Sequence, residues 1–287
     1  MGEAMGAIQH KGMQHKGMQQ DAAPRRRGIT GNTLKWIAVI AMIIDHTAAI
    51  ILERILMQNG AGNIVDAEAA SMFLEQNAVL YYTNFVMRII IGRLSFPIFC
   101  FLIIEGFLYT HNVKKYIGRL ALFAIISEIP FDLAFSGEFI AWGYQNVFFT
   151  LLIGLLVITG FRFVEQKREW NKVLRLFLYL IIIAAGCAAA TYLKTDYSMI
   201  GVLTIVVMYL FKENKMGAAC VGCGTLTLMS LTEITTFLSL IPIYLYNKER
   251  GKGNRWFFYV FYPLHILILY LIAYAMGLGD IVLRMGV

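Results

Sequence analysis

The chain is poor in charge, in proline and in cysteine. Of its 287 residues 15% are charged, 5 are proline and 4 are cysteine. A soluble domain carries roughly 25% charged residues, so this chain has too few to clothe a water-facing surface. The cysteines, Cys100, Cys187, Cys220 and Cys223, all fall in apolar runs. That excludes the cysteine framework of a small secreted domain. Cys220 and Cys223 have metal or redox spacing, but no second pair accompanies them. Gly217, Gly222 and Gly224 surround them instead, and small residues at that density permit close helix packing, so no metal is expected. Short strands of alternating apolar and polar residues are missing, which excludes a porin-like barrel. No secretory signal peptide fits the first 33 residues.

What is present is long apolar runs. Hydrophobic residues make up 59% of the chain, with mean hydropathy +0.65, against about 45–50% apolar in soluble domains. A span needs roughly 20 mostly apolar residues at ~1.5 Å rise each. The expected fold is all-α, a polytopic transmembrane helix bundle of about nine spans. These are 34–57, 84–109, 116–136, 145–162, 173–193, 198–211, 216–231, 233–246 and 256–276. Residues 1–33 are polar, repeat His-Lys-Gly-Met-Gln from His10 and His15, and include Arg25, Arg26 and Arg27. They are expected to be a disordered cytoplasmic tail, with residues 34–287 the integral membrane domain.

The formal charge of +7 does not point to nucleic acid, because the basic residues alternate with the spans. The tail with Lys35 and the segments 111–119, 162–175, 212–215 and 248–255 hold 20 of the 25 Lys and Arg. By the positive-inside rule the N-terminus is cytoplasmic and the C-terminus outside. The expected location is the bacterial inner membrane, with the lipid bilayer as a partner and no nucleic acid. The longest outer segment, 58–82, carries Asp66, Glu68 and Glu75 and no Lys or Arg. A helix over 67–82 is expected there, as a candidate contact for a substrate or partner.

Ionisable residues inside the spans carry the functional signal. A carboxylate at mid-membrane costs about 2.5–3.5 kcal/mol on the insertion scale. Arg54, Arg88, Asp132, Asp196 and Glu233 stand near span ends, where a side chain can snorkel to water. His46, Arg93, Glu105 and His265 do not. His46 and His265 both lie about 14–18 Å in from the basic side, so they share a level. Asp45 points about 100° away from His46 and wants a cation on another helix, for which Arg93 suits best. Glu105 is a candidate either to orient the histidine or to hold a second cation. Pro97 predicts a kink between Arg93 and Glu105 that opens a polar cavity.

These residues sit in segments that resemble the TraX family. They are Leu34 to Ala38 leading to Ile44-Asp45-His46, Ile91-Gly92-Arg93-Leu94-Ser95-Phe96-Pro97-Ile98-Phe99, and Glu105-Gly106-Phe107. Further on come Ile126 to Phe131, Asn146 to Leu151, Asp196 to Leu203, Leu245-Tyr246-Asn247 and Phe261-Tyr262-Pro263-Leu264-His265. The resemblance runs in order from about residue 30 to 275. Glu128 departs from the pattern, where glutamine is commoner, and is given no chemistry. The family is known for acetylating the N-terminus of conjugative pilin. It looks like part of a wider group of membrane acyltransferases, some acting on sugars, that use cytoplasmic acetyl-CoA and a histidine within the membrane.

The resemblance therefore implies an acetyl-CoA-dependent acetyltransferase whose acceptor is the amine of a pilin-like peptide or a hydroxyl of a glycan. An imidazole with pKa near 7 is a suitable base for such an acceptor, and His46 is placed in that role. Arg93, Tyr262 and His265 are candidate donors to the developing oxyanion, with Asp45 and Glu105 in support. Lys35, Lys114, Lys115 and Arg119 are the candidates to bind the phosphates of acetyl-CoA. Without the resemblance, a proton-coupled transporter fits the intramembrane charges as well as an enzyme does. A non-catalytic scaffold for surface assembly would not need His46.

Overall fold

The computed structural model describes residues 27–283. Of the expected tail, residues 1–26 lie outside them. Among the described residues the fold is all-helical, with two isolated bridges, Ile29 to Tyr246 and Gln145 to Thr195, and no named strand.

The first helix, α1 (Gly31–Thr47), starts three residues ahead of the apolar run because Thr30 caps it, its hydroxyl accepting from the Thr33 N–H. A π segment, Ala48–Leu52, carries it into α2 (Glu53–Gln58). Helix α3 (Ala67–Phe85) is capped by Asp66, extending the expected outer helix. It runs through a π segment, Val86–Ile91, and a 3-10 turn, Gly92–Leu94, into α4 (Ser95–Tyr109). The break thus lies before Pro97 rather than between Arg93 and Glu105. Pro97 is the third residue of α4, where its missing N–H costs little and the ring starts the helix well.

The remaining helices are α5 (Val113–Phe135), α6 (Val147–Gln166), α7 (Lys172–Tyr192), α8 (Ser198–Leu210), α9 (Lys215–Leu226), α10 (Leu240–Leu245) and α11 (Arg255–Ala275). A 3-10 stretch, Leu231–Ser239, precedes α10. Asparagine starts α5, α6, α7, α9 and α11, where Asn112, Asn146, Asn171, Asn214 and Asn254 each accept from a first-turn N–H. A short polar cap supplies the acceptor that the first turn lacks.

Among the described residues five helical runs are long and apolar enough to cross a membrane: Gly31–Gln58, Ala67–Tyr109, Val147–Gln166, Lys172–Tyr192 and Trp256–Ala275. Of the other expected spans, α5 is long enough but carries Lys114, Lys115, Arg119, Glu128 and Asp132. Helices α8 and α9 are short, and the segment 233–246 is split between a 3-10 stretch and α10.

Helix α5 packs on α11, α6 on α7 and α8, α8 on α9, and α1 on α4. Helix α7 is peripheral, with Val173, Leu176, Phe177, Leu180 and Ile181 exposed. In lipid such a face loses nothing, and helices associate by close fit instead. Gly154 of α6 sits directly under the Ile205 side chain of α8, where a Cβ would collide. Past α10 the chain folds over the start of α1. The carbonyls of Leu245, Glu249 and Arg250 accept from the N–H groups of Ile29, Gly31 and Asn32, at 2.9, 2.7 and 3.0 Å.

Arg54 does not snorkel. It is fully buried and donates to the carbonyls of Ile50, Ala134 and Ile281, at 2.8, 2.6 and 3.0 Å. The planar fork of a guanidinium has five donors, so one side chain ties α2, the end of α5 and the segment beyond α11 together. Asp132 is buried too, accepting from the Ala141 N–H at 2.8 Å.

Candidate active site

Asp45 and His46 leave α1 in different directions, as successive helical residues must. His46 turns to α11. Its Nδ1 lies 2.7 Å from Nε2 of His265, and the two rings are nearly parallel, 10° apart with centroids 5.0 Å apart. The other nitrogen of His265, Nδ1, is 2.9 Å from the carbonyl of Phe261, one turn back. His265 is buried and His46 half-buried. Tyr262 on α11 and Phe135 at the end of α5 meet the His46 ring edge to face, with centroids 6.0 and 6.2 Å away.

Asp45 turns to the broken segment before α4. Its partner there is Arg88, Nε to Oδ1 3.8 Å, and Arg88 also binds Glu53 at 3.0 Å. The expected partner, Arg93, pairs instead with Glu233, Nε to Oε1 2.9 Å. The reason is backbone geometry. The π and 3-10 turns between residues 86 and 94 change the rotation per residue, so Arg88 is brought round to α1. Gly92 makes the approach possible, because a Cβ there would overlap the Asp45 carboxylate.

Glu233 is 3% exposed, which overturns its expected position at a wet span end. Arg88 and Glu233 are the members of the site that sequence reading missed. The available signal was charge balance, since Asp45 and Arg93 each needed an opposite charge in apolar surroundings. Asp45 Oδ1, Arg88 Nε, Arg93 Nε and Glu233 Oε2 are all buried without a hydrogen bond among the described residues. A cleft of about 230 Å³ reaches this network, lined by Glu53, Tyr81, Asn84, Phe85, Arg88, Ile89 and Arg93.

The turn between α7 and α8 closes the other side. Asp196 accepts from the Tyr144 hydroxyl at 2.6 Å, and the Thr150 hydroxyl donates to the Asp196 carbonyl. Burial pushes the Asp196 carboxyl up to about 6, against the opposing pull of the Tyr144 hydrogen bond and of Arg93. Glu128 accepts from the Asn146 N–H at 2.9 Å and from its side-chain amide. A glutamine oxygen could accept those same bonds, in keeping with a positioning task.

Glu105 is not at the histidines. It accepts from the Tyr246 hydroxyl at 3.0 Å, near the basic end of the bundle. Tyr246 belongs to the segment folded over α1, which draws Glu105 that way. Lys215 Nζ donates to the carbonyls of Tyr244 and Tyr246 beside it, at 2.8 and 2.6 Å. Lys35 is half-buried, 5.5 Å from the Phe258 ring centroid. Arg119 lies 5.8 Å from the Tyr116 ring, with its Nε buried and unbonded among the described residues. Trp36 packs on Phe257 and Phe258, and Phe123 on Trp256 and Tyr259. Lys35 and Arg119 therefore flank the first turns of α11 from two sides, while Lys114 and Lys115 stand exposed at the start of α5.

A protein-family profile described as TraX protein matches residues 30–273. A probable fimbrial assembly protein FimC of serogroup H1, from Dichelobacter nodosus, is 28% identical over 264 residues, covering 82% of this chain and 92% of its own. No solved structure matches.

Proposed function

The chain belongs to the TraX family, and from that premise we propose that it is an acetyltransferase of the bacterial inner membrane. It takes the acetyl group of cytoplasmic acetyl-CoA and passes it to the amine of a pilin-like peptide or to a hydroxyl of an exported glycan. The observation that carries the reading is the His46–His265 contact at 2.7 Å between two apolar helices. An imidazole pair kept in such a setting has a cost that a packing role alone does not explain. The relative named for fimbrial assembly agrees with an acceptor on its way to the cell surface.

In this reading the basic end of the bundle faces the cytoplasm, the N-terminus is inside, the C-terminus outside, and the short helices complete nine spans. Lys35 and His46 are eleven residues apart on α1. Eleven residues make three turns and ~20°, so the two side chains share a face about 16 Å apart. The phosphates of acetyl-CoA sit at Lys35 and Arg119, with Lys114 and Lys115 adding attraction from the rim. The donor set fits an anion, since the buried Nε of Arg119 lacks a partner among the described residues and no salt bridge there engages Lys35. Acetyl-CoA supplies a thioester, an activated acyl group. His46 removes the acceptor's proton, and Tyr262 or Arg93 is the donor for negative charge that develops during transfer. Asp45, held by Arg88, fixes the broken segment that carries Arg93.

The test uses purified full-length protein, radiolabelled acetyl-CoA and a panel of synthetic peptides and sugars. General-base catalysis contributes about 10²–10⁴-fold, so His46→Ala should lose at least that much transfer while staying monodisperse. Wild-type transfer by His46→Ala would defeat the proposal. A transporter would give no acetylated product with either protein.

A further inference from the structure

We infer that His265 is a positioning residue that sets the tautomer of His46, and that Nε2 of His46 is the working base; this rests on the acyl-transfer reading above. The argument starts from a backbone carbonyl. The oxygen of Phe261 can only accept, so the His265 Nδ1 at 2.9 Å carries a proton. A neutral imidazole has one N–H, so Nε2 of His265 is then a bare acceptor. The nitrogen 2.7 Å from it, Nδ1 of His46, must donate. His46 therefore has its proton on Nδ1, and its Nε2 is left with a free lone pair.

No carboxylate is hydrogen-bonded to either ring among the described residues. Asp45, the sequence neighbour of His46, is turned away to Arg88. The rings that pack on the pair are those of Phe135 from α5, Tyr262 on α11 and Phe261, which stacks on His265 with centroids 5.1 Å apart, and the Arg88 guanidinium is close enough to act on His46 electrostatically. A second histidine, anchored to a helix carbonyl, thus does the orienting that an acidic residue does in a hydrolase triad. It also gives the proton somewhere to go. His46 Nε2 takes the proton of the acceptor as the bond from nitrogen or oxygen to the acetyl carbon forms. The Nδ1 proton of His46 shifts to Nε2 of His265, and the pair holds one positive charge. The pair returns a proton to the sulfur as the carbon–sulfur bond breaks, which restores both neutral rings. The oxyanion role expected of His265 from sequence is thereby unavailable to it, because both nitrogens are engaged.

Two arms test this. In the first, the full-length protein is labelled with ¹⁵N-histidine, and the ring nitrogens are assigned with His46→Gln and His265→Gln variants. The expected spectrum has His46 protonated at Nδ1 and bare at Nε2, with coupling between His46 Nδ1 and His265 Nε2. A His46 ring protonated at Nε2 would overturn the inference. In the second, turnover is compared for His265→Gln and His265→Phe. Glutamine presents an oxygen close to where Nε2 was, so it keeps the His46 tautomer and should retain measurable kcat. Phenylalanine keeps ring volume without an acceptor, and its kcat should fall by about 10²-fold or more with KM unchanged. Equal kcat for the wild type and His265→Phe would also overturn it. If no acceptor on the panel is acetylated, the proposed function fails, and the spectrum still decides the tautomer.

Discussion

Tyr197 lies flat on Phe96, with ring centroids 3.7 Å apart and planes 3° apart. It reaches that position from a left-handed backbone, φ 62°. Lys194 and Ser198, at φ 51° and 42°, bracket it in the same turn. Left-handed conformations cost a residue with a side chain roughly 1–2 kcal/mol each. Such strain persists where the surroundings require it, and here the turn presses Tyr197 against Arg93. Lys194 is exposed, so Lys194→Gly should relieve part of the strain and stabilise the fold by about 1 kcal/mol, read as a higher melting temperature. Tyr197→Phe keeps the stack and should leave stability near that of the wild type while lowering acetyl transfer. A Tyr197→Phe protein with full activity would remove the hydroxyl from the site.

Gly92 touches the Asp45 carboxylate with no room for a Cβ. Gly92→Ala should therefore push the 3-10 turn away from α1 and cost about 1–3 kcal/mol, the range for overpacked sites. Activity should fall further than stability, because Arg88 and Arg93 move together. Thermal unfolding and acetyl transfer on one preparation measure both. An unchanged melting temperature would show that the contact is slack.

Arg54 should be the least replaceable arginine. Its removal takes a donor from three carbonyls, two of them in buried bonds, and a buried group left unsatisfied costs about 1–3 kcal/mol. Arg54→Met, which keeps length and loses the donors, should destabilise by about 3 kcal/mol or more. Arg54→Lys should recover only part, since one ammonium cannot reproduce the fork. Denaturant titration of the three proteins checks the order.

Asp196 makes stability depend on pH. Its carboxyl is raised to about 6 by burial, so the folded protein keeps that proton at a pH where the unfolded chain has lost it. The contribution is fully present below about pH 4. It is lost as pH rises through about 6. Between pH 4 and 7 the melting temperature of the wild type should therefore fall relative to that of Asp196→Asn. A difference between the two proteins that stays constant over this range would contradict it.

Topology is tested by reporter fusions after Gln58, Lys115, Glu138 and Arg250. Cytoplasmic signals are expected after Lys115 and Arg250, and outer signals after Gln58 and Glu138. Finding Lys115 and Arg250 outside would invert the bundle and move the acetyl-CoA site to the wrong face.

The sequence by itself determined that the chain is helical, with runs long and apolar enough to cross a membrane, because in lipid apolar runs of this length leave the backbone no other way to satisfy its own hydrogen bonds. It also determined that His46 and His265 stand at one level, since depth along a helix is a matter of counting residues at ~1.5 Å each. That Asp45 and His46 diverge followed from the same regular geometry. What only the tertiary structure decided is which partner each residue meets. Arg88 rather than Arg93 faces Asp45 because π and 3-10 turns reset the helix phase over residues 86–94, and that departure leaves no mark in apolar periodicity. Glu105 went to Tyr246 because the segment after α10 folds back over α1, a contact between residues 141 positions apart. Arg54 is buried rather than wet because the carbonyls of two distant segments, at Ala134 and Ile281, converge on it beside that of Ile50 one turn back. Periodicity and charge are local properties that a chain carries on its face; the pairing of buried charges depends on helix neighbours, rotation and breaks, which exist only once the bundle has packed.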